Sequence, residues 1–267
     1  MFKKIIATAV IVLVVSVVFI ILSDQVNDVP AYDNEEEPVN DEEEKIVEGR
    51  VAIIIDDLGY NPELDKKLAE IDFSLTLAVL PFREHTGKAI NTFKERENFE
   101  LILHLPLGPI SEAQHEEKMA MVDMSREEIA SFLDESLEEM QGTVKGLNNH
   151  KGSKFTSDSL NMGWLLEEIK ARELFFIDSF TVGASVGYSL AKEMNIPTAR
   201  RDVFLDVIDD PREIRDRLYE LEEKAREKGS AIAIGHHTEN TIKVLKEELP
   251  AMEERGIKPV FISELLK

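Results

Sequence analysis

The sequence predicts an α/β fold in which eight parallel strands alternate with helices and close into a (β/α) barrel. Three observations predict it. Short β-rich apolar runs recur from Val51 onward, amphipathic stretches with apolar residues at three- and four-residue spacing lie between them, and 43% hydrophobic content over 267 residues supplies a sizeable core. Strands separated by helices pair in parallel through right-handed crossovers, and eight such units close into a barrel; an open doubly wound sheet is the alternative. In both arrangements functional side chains gather at the carboxyl ends of the strands.

Two segments precede the folded part. Lys3 and Lys4 lead an 18-residue run, Ile5 to Leu22, broken only by Thr8 and Ser16. As a helix it measures about 27 Å, enough for a hydrocarbon core, and the basic residues on its short side predict a cytoplasmic N-terminus with an exported remainder. Residues 1–23 are therefore expected to be an uncleaved membrane anchor, because Ser23-Asp24-Gln25 offers no small-residue cleavage site; a cleaved signal sequence is the alternative. Residues 24–48 hold eleven acidic residues and one lysine, the composition of a solvated, disordered linker.

One domain is expected over residues 49–267, without internal repeats. Its strand runs are VAIII (51–55), SLTLAVL (74–80), ELILHL (100–105), VKGLNN (144–149), LFFID (174–178), TARRDVF (198–204), AIAIG (231–235) and KPVFI (258–262). Helices are read over Ser125–Met140, Ser159–Ala171 and Pro211–Lys228, where Pro211 suits a first helical turn.

Charge and composition exclude several function classes. The net charge of −22, less than half of it from the linker, argues against binding nucleic acid or an anionic lipid surface. The absence of cysteine removes disulfides, thiolate nucleophiles and cysteine-ligated zinc, so any metal is held by histidine and carboxylate.

Asp56 and Asp57 directly follow the first strand run, and Gly59 turns the chain. Adjacent strand residues point to different sides, so one carboxylate can ligate a metal while its neighbour takes a proton. His104 closes ELILHLP; His150 follows the fourth run in NNHKGS, where Asn148 and Asn149 can orient neighbours and Gly152 lets backbones approach; His236 follows the seventh run in AIAIGHHT. Singly, each is explained as well by a turn cap or a core histidine. Together, three of the six histidines and the Asp pair fall at the ends of four strands. One Asp with two His is a three-ligand set that leaves positions open for water and substrate, as hydrolytic metal sites require. Asn149, Asp178, Arg201, Asp202 and Asp206 are the other strand-end groups, read as substrate contacts or as supports behind the ligands. His85 and His115 read as surface residues, and His237 stays outside the ligand set.

The strings IIIDDLGY, LAVLPF, LHLPL, GLNNHKGSKFT, FFIDSFT, RRDVFLD and AIAIGHH resemble, in order and approximate spacing, the divergent polysaccharide deacetylase family from about Val51 to the C-terminus. The resemblance implies a distorted (β/α) barrel with a divalent metal, zinc above all, that removes N-acetyl groups from an extracytoplasmic polysaccharide or oligosaccharide. It implies Asp57, His104 and His150 as metal ligands, Asp56 as general base and His236 as general acid. Better-known deacetylases take both histidines from one H-x3-H loop, whereas no histidine follows His104 until His115, so the second ligand is taken from another strand, at His150. Where relatives have Gly-His-Pro, this chain has Gly235-His236-His237. A non-catalytic envelope module of the same fold, binding glycan or a partner protein, is the alternative; a metallophosphoesterase fits less well, because few cations accompany Arg201 at the strand ends.

Residues 1–22 are expected to keep the protein in the membrane fraction, with the domain accessible from outside in cells stripped of their wall. Fractionation and N-terminal sequencing check this, and a mature chain starting near Asp24 would show cleavage instead.

Overall fold

The computed structural model describes residues 47–266. The expected anchor, and all but the last two residues of the expected linker, lie outside the described residues. None of the described helices is long and apolar enough to cross a membrane.

The elements run β1 (Gly49–Leu58), α1 (Pro62–Leu68), β2 (Leu75–Val79), α2 (Thr86–Phe93), β3 (Phe99–Leu107), α3 (Arg126–Glu139), β4 (Gly146–Lys151), α4 (Ser159–Ala171), β5 (Phe175–Asp178), α5 (Gly187–Glu193), β6 (Thr198–Arg200), β7 (Val203–Phe204), α6 (Pro211–Lys228), β8 (Ser230–His236), α7 (Glu239–Glu254) and β9 (Ile257–Val260). Helix ends follow local chemistry. Ser125 and Glu128 form a reciprocal capping box on α3, and the Asp158 side chain accepts from Leu160 N and Asn161 N at the start of α4. Asp210 and Pro211 open α6, which Gly229 closes in the left-handed conformation.

Every strand pair is parallel, in the order β6-β5-β4-β3-β2-β1-β8-β7. β9 adds a ninth strand without widening the sheet. β8 occupies one edge of β1 from Arg50 to Asp56, and the other edge is shared, with β9 along Gly49–Ala52 and β2 along Ile54–Leu58. The expected strand 258–262 ends at Val260, and a 3-10 turn over Ile262–Leu265 follows.

The sheet is a half-barrel rather than a closed barrel. The run TARRDVF, expected as one strand, is divided between β6 and β7, which stand at opposite ends of the hydrogen-bonded path. Two consecutive residues cross the gap: Arg201 N donates to Asp178 O on β5, and Asp202 N donates to Ile232 O on β8. The Asp202 carboxylate causes the switch of partner, accepting hydrogen bonds from Ile232 N at 3.0 Å and Lys228 Nζ at 3.1 Å.

Period-two alternation divides the apolar side chains between two cores. Val51, Ile53, Ile55, Leu77, Leu101 and Leu103 pack in the large core that includes helix residues, whereas Ala52, Ile54, Ala78, Ile102, Ile177, Ile232 and Ile234 form a second core inside the barrel, with Ile262. Carried one step further, the same alternation puts Asp56 after Ile54, His104 after Ile102 and His236 after Ile234, on the inner face. Asn148 and His150 take inner positions above Gly146. The functional cluster thus sits on an apolar layer.

Gly146 is small because Phe175 fills the space beside it: a Cβ there would lie 2.2–2.4 Å from three ring carbons. Gly146→Ala is expected to destabilise the fold by about 1–3 kcal/mol, the usual cost of overpacking, read from the urea midpoint.

Candidate active site

A bulge brings both carboxylates of the Asp pair to one place. Between Ile55 and Leu58 the β1–β2 register slips, and Asp57 adopts φ +67°. In a regular strand its side chain would point away from that of Asp56; the extra residue re-aims it toward His104. Aspartate tolerates the left-handed conformation better than most residues. A second close approach serves β4: Gly152 has φ +83°, and a Cβ on it would lie 2.9 Å from the Cβ of Leu107.

Asp57 Oδ1 lies 3.0 Å from His150 Nδ1 and 3.3 Å from His104 Nε2, and the two ring nitrogens are 3.1 Å apart. The far sides of both rings are already engaged. Asn148 donates through Nδ2 to Asp56 Oδ1 at 2.9 Å and to Ser179 Oγ at 3.1 Å, so its Oδ1, 2.7 Å from His104 Nδ1, is an acceptor and His104 carries its proton on Nδ1. The Glu116 carboxylate, 3.0 Å from His150 Nε2, claims the N–H of that ring in the same way. Arg83 and Lys151 flank Glu116. Burial works against ionisation of Glu116, but Lys151, His150 and Arg83 bring its pKa down to about 2.

With their far nitrogens engaged, the two rings turn their other nitrogens toward each other and toward a carboxylate oxygen that is buried without a hydrogen-bond partner. Such a cluster suits a cation. Burial raises the pKa of Asp57, yet the imidazoles of His104 and His150 hold it well below the usual carboxylate range. Burial disfavours charge on His104, which Asp56 and Asp57 outweigh, raising its pKa. A proton on one ring answers one contact, whereas a metal ion answers all three. Donors bound at about 2.1 Å stand about 3.0 Å apart around an octahedral ion and about 3.4 Å apart around a tetrahedral one. The observed spacings fall in that range, and one donor atom from each of Asp57, His104 and His150 lies within 4.8 Å of the others. The residues present fit a divalent metal.

Asp56 is buried beside this set. Its Oδ1 is fixed by Asn148, its Oδ2 lies 3.5 Å from His104 Nε2, and burial raises its pKa. His236 is tied elsewhere, its Nδ1 3.1 Å from Asp206 Oδ1, with Asp206 Oδ2 accepting from His236 N and Thr241 Oγ1. The Asp206 hydrogen bond, opposed by burial and helped by the charges of Asp206, Asp57 and Asp56, raises the imidazole pKa to about 9. Its Nε2 is therefore protonated at neutral pH. Asp56, Asp57, His104, His150 and His236 share a cleft of ≈ 450 Å³. A larger hollow of ≈ 740 Å³ beside β6, lined by Tyr188, Lys192 and Leu265 among others, contains none of them.

The sequence profile of the divergent polysaccharide deacetylases matches residues 53–266. The chain belongs to that family. The uncharacterised protein YibQ of Escherichia coli K12 is 31% identical over 202 residues, covering 76% of this chain but only 63% of that protein's length. Among solved structures, an uncharacterised protein of Agrobacterium tumefaciens C58 superposes with a TM-score of 0.76 at 23% identity, covering 81% of this chain and 89% of the other. A mutant of a CE4-family pseudoenzyme from Bacillus anthracis, with restored enzymatic activity, gives a TM-score of 0.51 at 18% identity, covering 82% and 68%. These two structures share the deacetylase fold, on which both active and inactive members occur.

Of the remaining strand-end residues, two line the cleft and two do not. Asn149 and Arg201 line the cleft. Asn149 accepts from Ser179 N at 2.9 Å and donates to Lys151 O at 2.8 Å, joining the loops after β4 and β5. Asp178 and Asp202 do not line it. Asp178 follows inward-facing Ile177, so it turns outward and accepts from Phe180 N, Ser185 Oγ and Tyr188 N, while Asp202 holds the seam. His237, next to His236, is buried on the opposite face, 3.5 Å from Asp65. His115 is exposed, but His85 precedes α2 without a capping side-chain hydrogen bond and its side chain is only 19% exposed, a correction to its reading as a surface residue. Glu116 escaped the sequence reading because it lies in a polar loop without periodicity, brought to His150 by the pairing of Leu107 with Ala120.

Asp206→Asn is expected to move the His236 pKa from about 9 toward its ordinary value near 6.5, measurable by NMR titration of the ring. Because the folded-state value is the raised one, the Asp206 contact stabilises the fold fully below about pH 6.5 and ceases to do so as pH rises through about 9.

Proposed function

We propose that this chain is a zinc-dependent hydrolase that removes N-acetyl groups from an extracytoplasmic polysaccharide or oligosaccharide. The convergence of Asp57 Oδ1, His104 Nε2 and His150 Nδ1, with their other atoms turned away and tied, carries this reading. These three would hold the ion, which when bound supplies Lewis acidity for the acetamide carbonyl and the attacking water.

The chain's own residues account for the proton movements. Asp56, buried and held by Asn148, takes the proton of the attacking water. Its raised pKa makes it a better base than an exposed aspartate. His236, held by Asp206 and standing outside the three-donor set, gives its Nε2 proton to the nitrogen as the C–N bond breaks. Acetate and a free amine result. An apolar layer lies under the cluster. With the membrane anchor expected over residues 1–23, this chemistry would lie at the cell envelope, acting on a glycan.

Acetate release from N-acetylated oligosaccharides is expected with zinc and is expected to stop on chelation. Asp56→Asn is expected to lower kcat by about 10²–10⁴ with bound metal unchanged, whereas alanine at Asp57, His104 or His150 removes the metal, measured by elemental analysis. Metal and glycan binding without acetate release would overturn the hydrolytic reading in favour of a binding module.

A further inference from the structure

The cleft contains one cation that makes no ion pair with any described residue. Arg201, at the seam between β6 and β7, lines it together with Asp56, Asp57 and His236. Its Nε donates to Ser179 O at 2.8 Å and its Nη2 to Phe180 O at 3.0 Å, both main-chain carbonyls, and the Phe204 ring centre lies 4.8 Å from the guanidinium carbon. The other cations of the cleft are matched, Lys151 by Glu116 and His236 by Asp206. Elsewhere Arg83, Arg126, Arg172, Arg215, Arg226 and Arg255 meet carboxylates, whereas Arg50, Arg96, Arg200 and Arg212, which also make no ion pair with a described residue, lie outside the cleft. Among the described residues Arg201 makes no ion pair, and Asp56 and Asp178 act on it only through space. Nη1 has no partner there and is not sealed from solvent.

A half-buried guanidinium held at Nε and through one N–H of Nη2, and backed by a ring, is fixed in orientation, with Nη1 and the second N–H of Nη2 free to donate. This is an arrangement suited to a planar anion, which accepts from such a fork in two parallel bonds. Two carboxylates share the cleft, so a single negative charge is accommodated more readily than the double charge of a phosphate.

We propose that Arg201 binds a carboxylate of the substrate, so that the glycan acted on is an acidic one carrying that group on or beside its N-acetylated sugar. The word substrate rests on the hydrolytic reading; the anion site does not.

The test uses the full chain with zinc and four ligands: methyl N-acetylglucosaminide, its counterpart oxidised to a carboxylate at C6, its 3-O-lactyl ether, and its 6-phosphate. Affinities are read by calorimetry and acetate release in parallel. At least one carboxylate-bearing sugar is expected to bind about tenfold more tightly than the neutral one, the scale of one charge-assisted contact. Arg201→Met is expected to remove that preference and Arg201→Lys to keep part of it. A purely structural role would weaken all ligands alike and leave the preference intact, which overturns the proposal. No Arg201-dependent preference, or a stronger one for the phosphate, also overturns it. Arg201-dependent preference without acetate release would sink the hydrolytic reading and leave the anion site standing.

Discussion

Three electron-pair donors held 3.0–3.3 Å apart on a buried floor are the constraint on which the upper half of this structure depends. Left alone, two imidazole lone pairs and a carboxylate oxygen repel. They stay together because each is tied from behind: His104 by Asn148, His150 by Glu116, and Asp57 by the bulge that turns it inward. Asn148 does most, since its amide fixes the His104 tautomer and Asp56 with the same group. Losing its carbonyl would free the histidine, and losing its NH2 would free the base.

Below that set the interior is apolar, and the contrast sharpens the electrostatics above it. Alanine and isoleucine from β1, β2, β3, β5 and β8 pack directly beneath the carboxylates. Asp56 and Asp57 are neighbours in sequence and respond in opposite directions. Burial raises Asp56, whereas the imidazoles of His104 and His150 pull Asp57 down despite burial. That division separates a proton acceptor from a ligand within one dipeptide.

The seam between β6 and β7 joins fold and site. A strand running through TARRDVF without a break would have paired with one edge of the sheet only. By bonding Arg201 to β5 and Asp202 to β8, the chain crosses the gap and leaves the Arg201 guanidinium beside the cleft mouth. Asp206, two residues beyond β7, then reaches the end of β8 to hold His236.

The sequence by itself determined the alternation of strands and helices, because each run carries its own period and the longer helices carry their own caps: Ser125, Asp158 and Asp210 all act locally. It also placed Asp56, Asp57, His104, His150 and His236 at strand ends, since position along a strand is a local property, and the order of the strings pointed to the family. Tertiary structure alone decided the rest. Whether Asp178 or Arg201 meets the cleft depends on which face the register presents. That Glu116 supports His150 depends on a loop folded back across β3, over 34 residues of separation. The half-barrel, too, was decided by partners distant in sequence, where Asp202 finds the backbone of Ile232. Local periodicity encodes which way a side chain faces along its own strand, but not which distant group waits there to meet it.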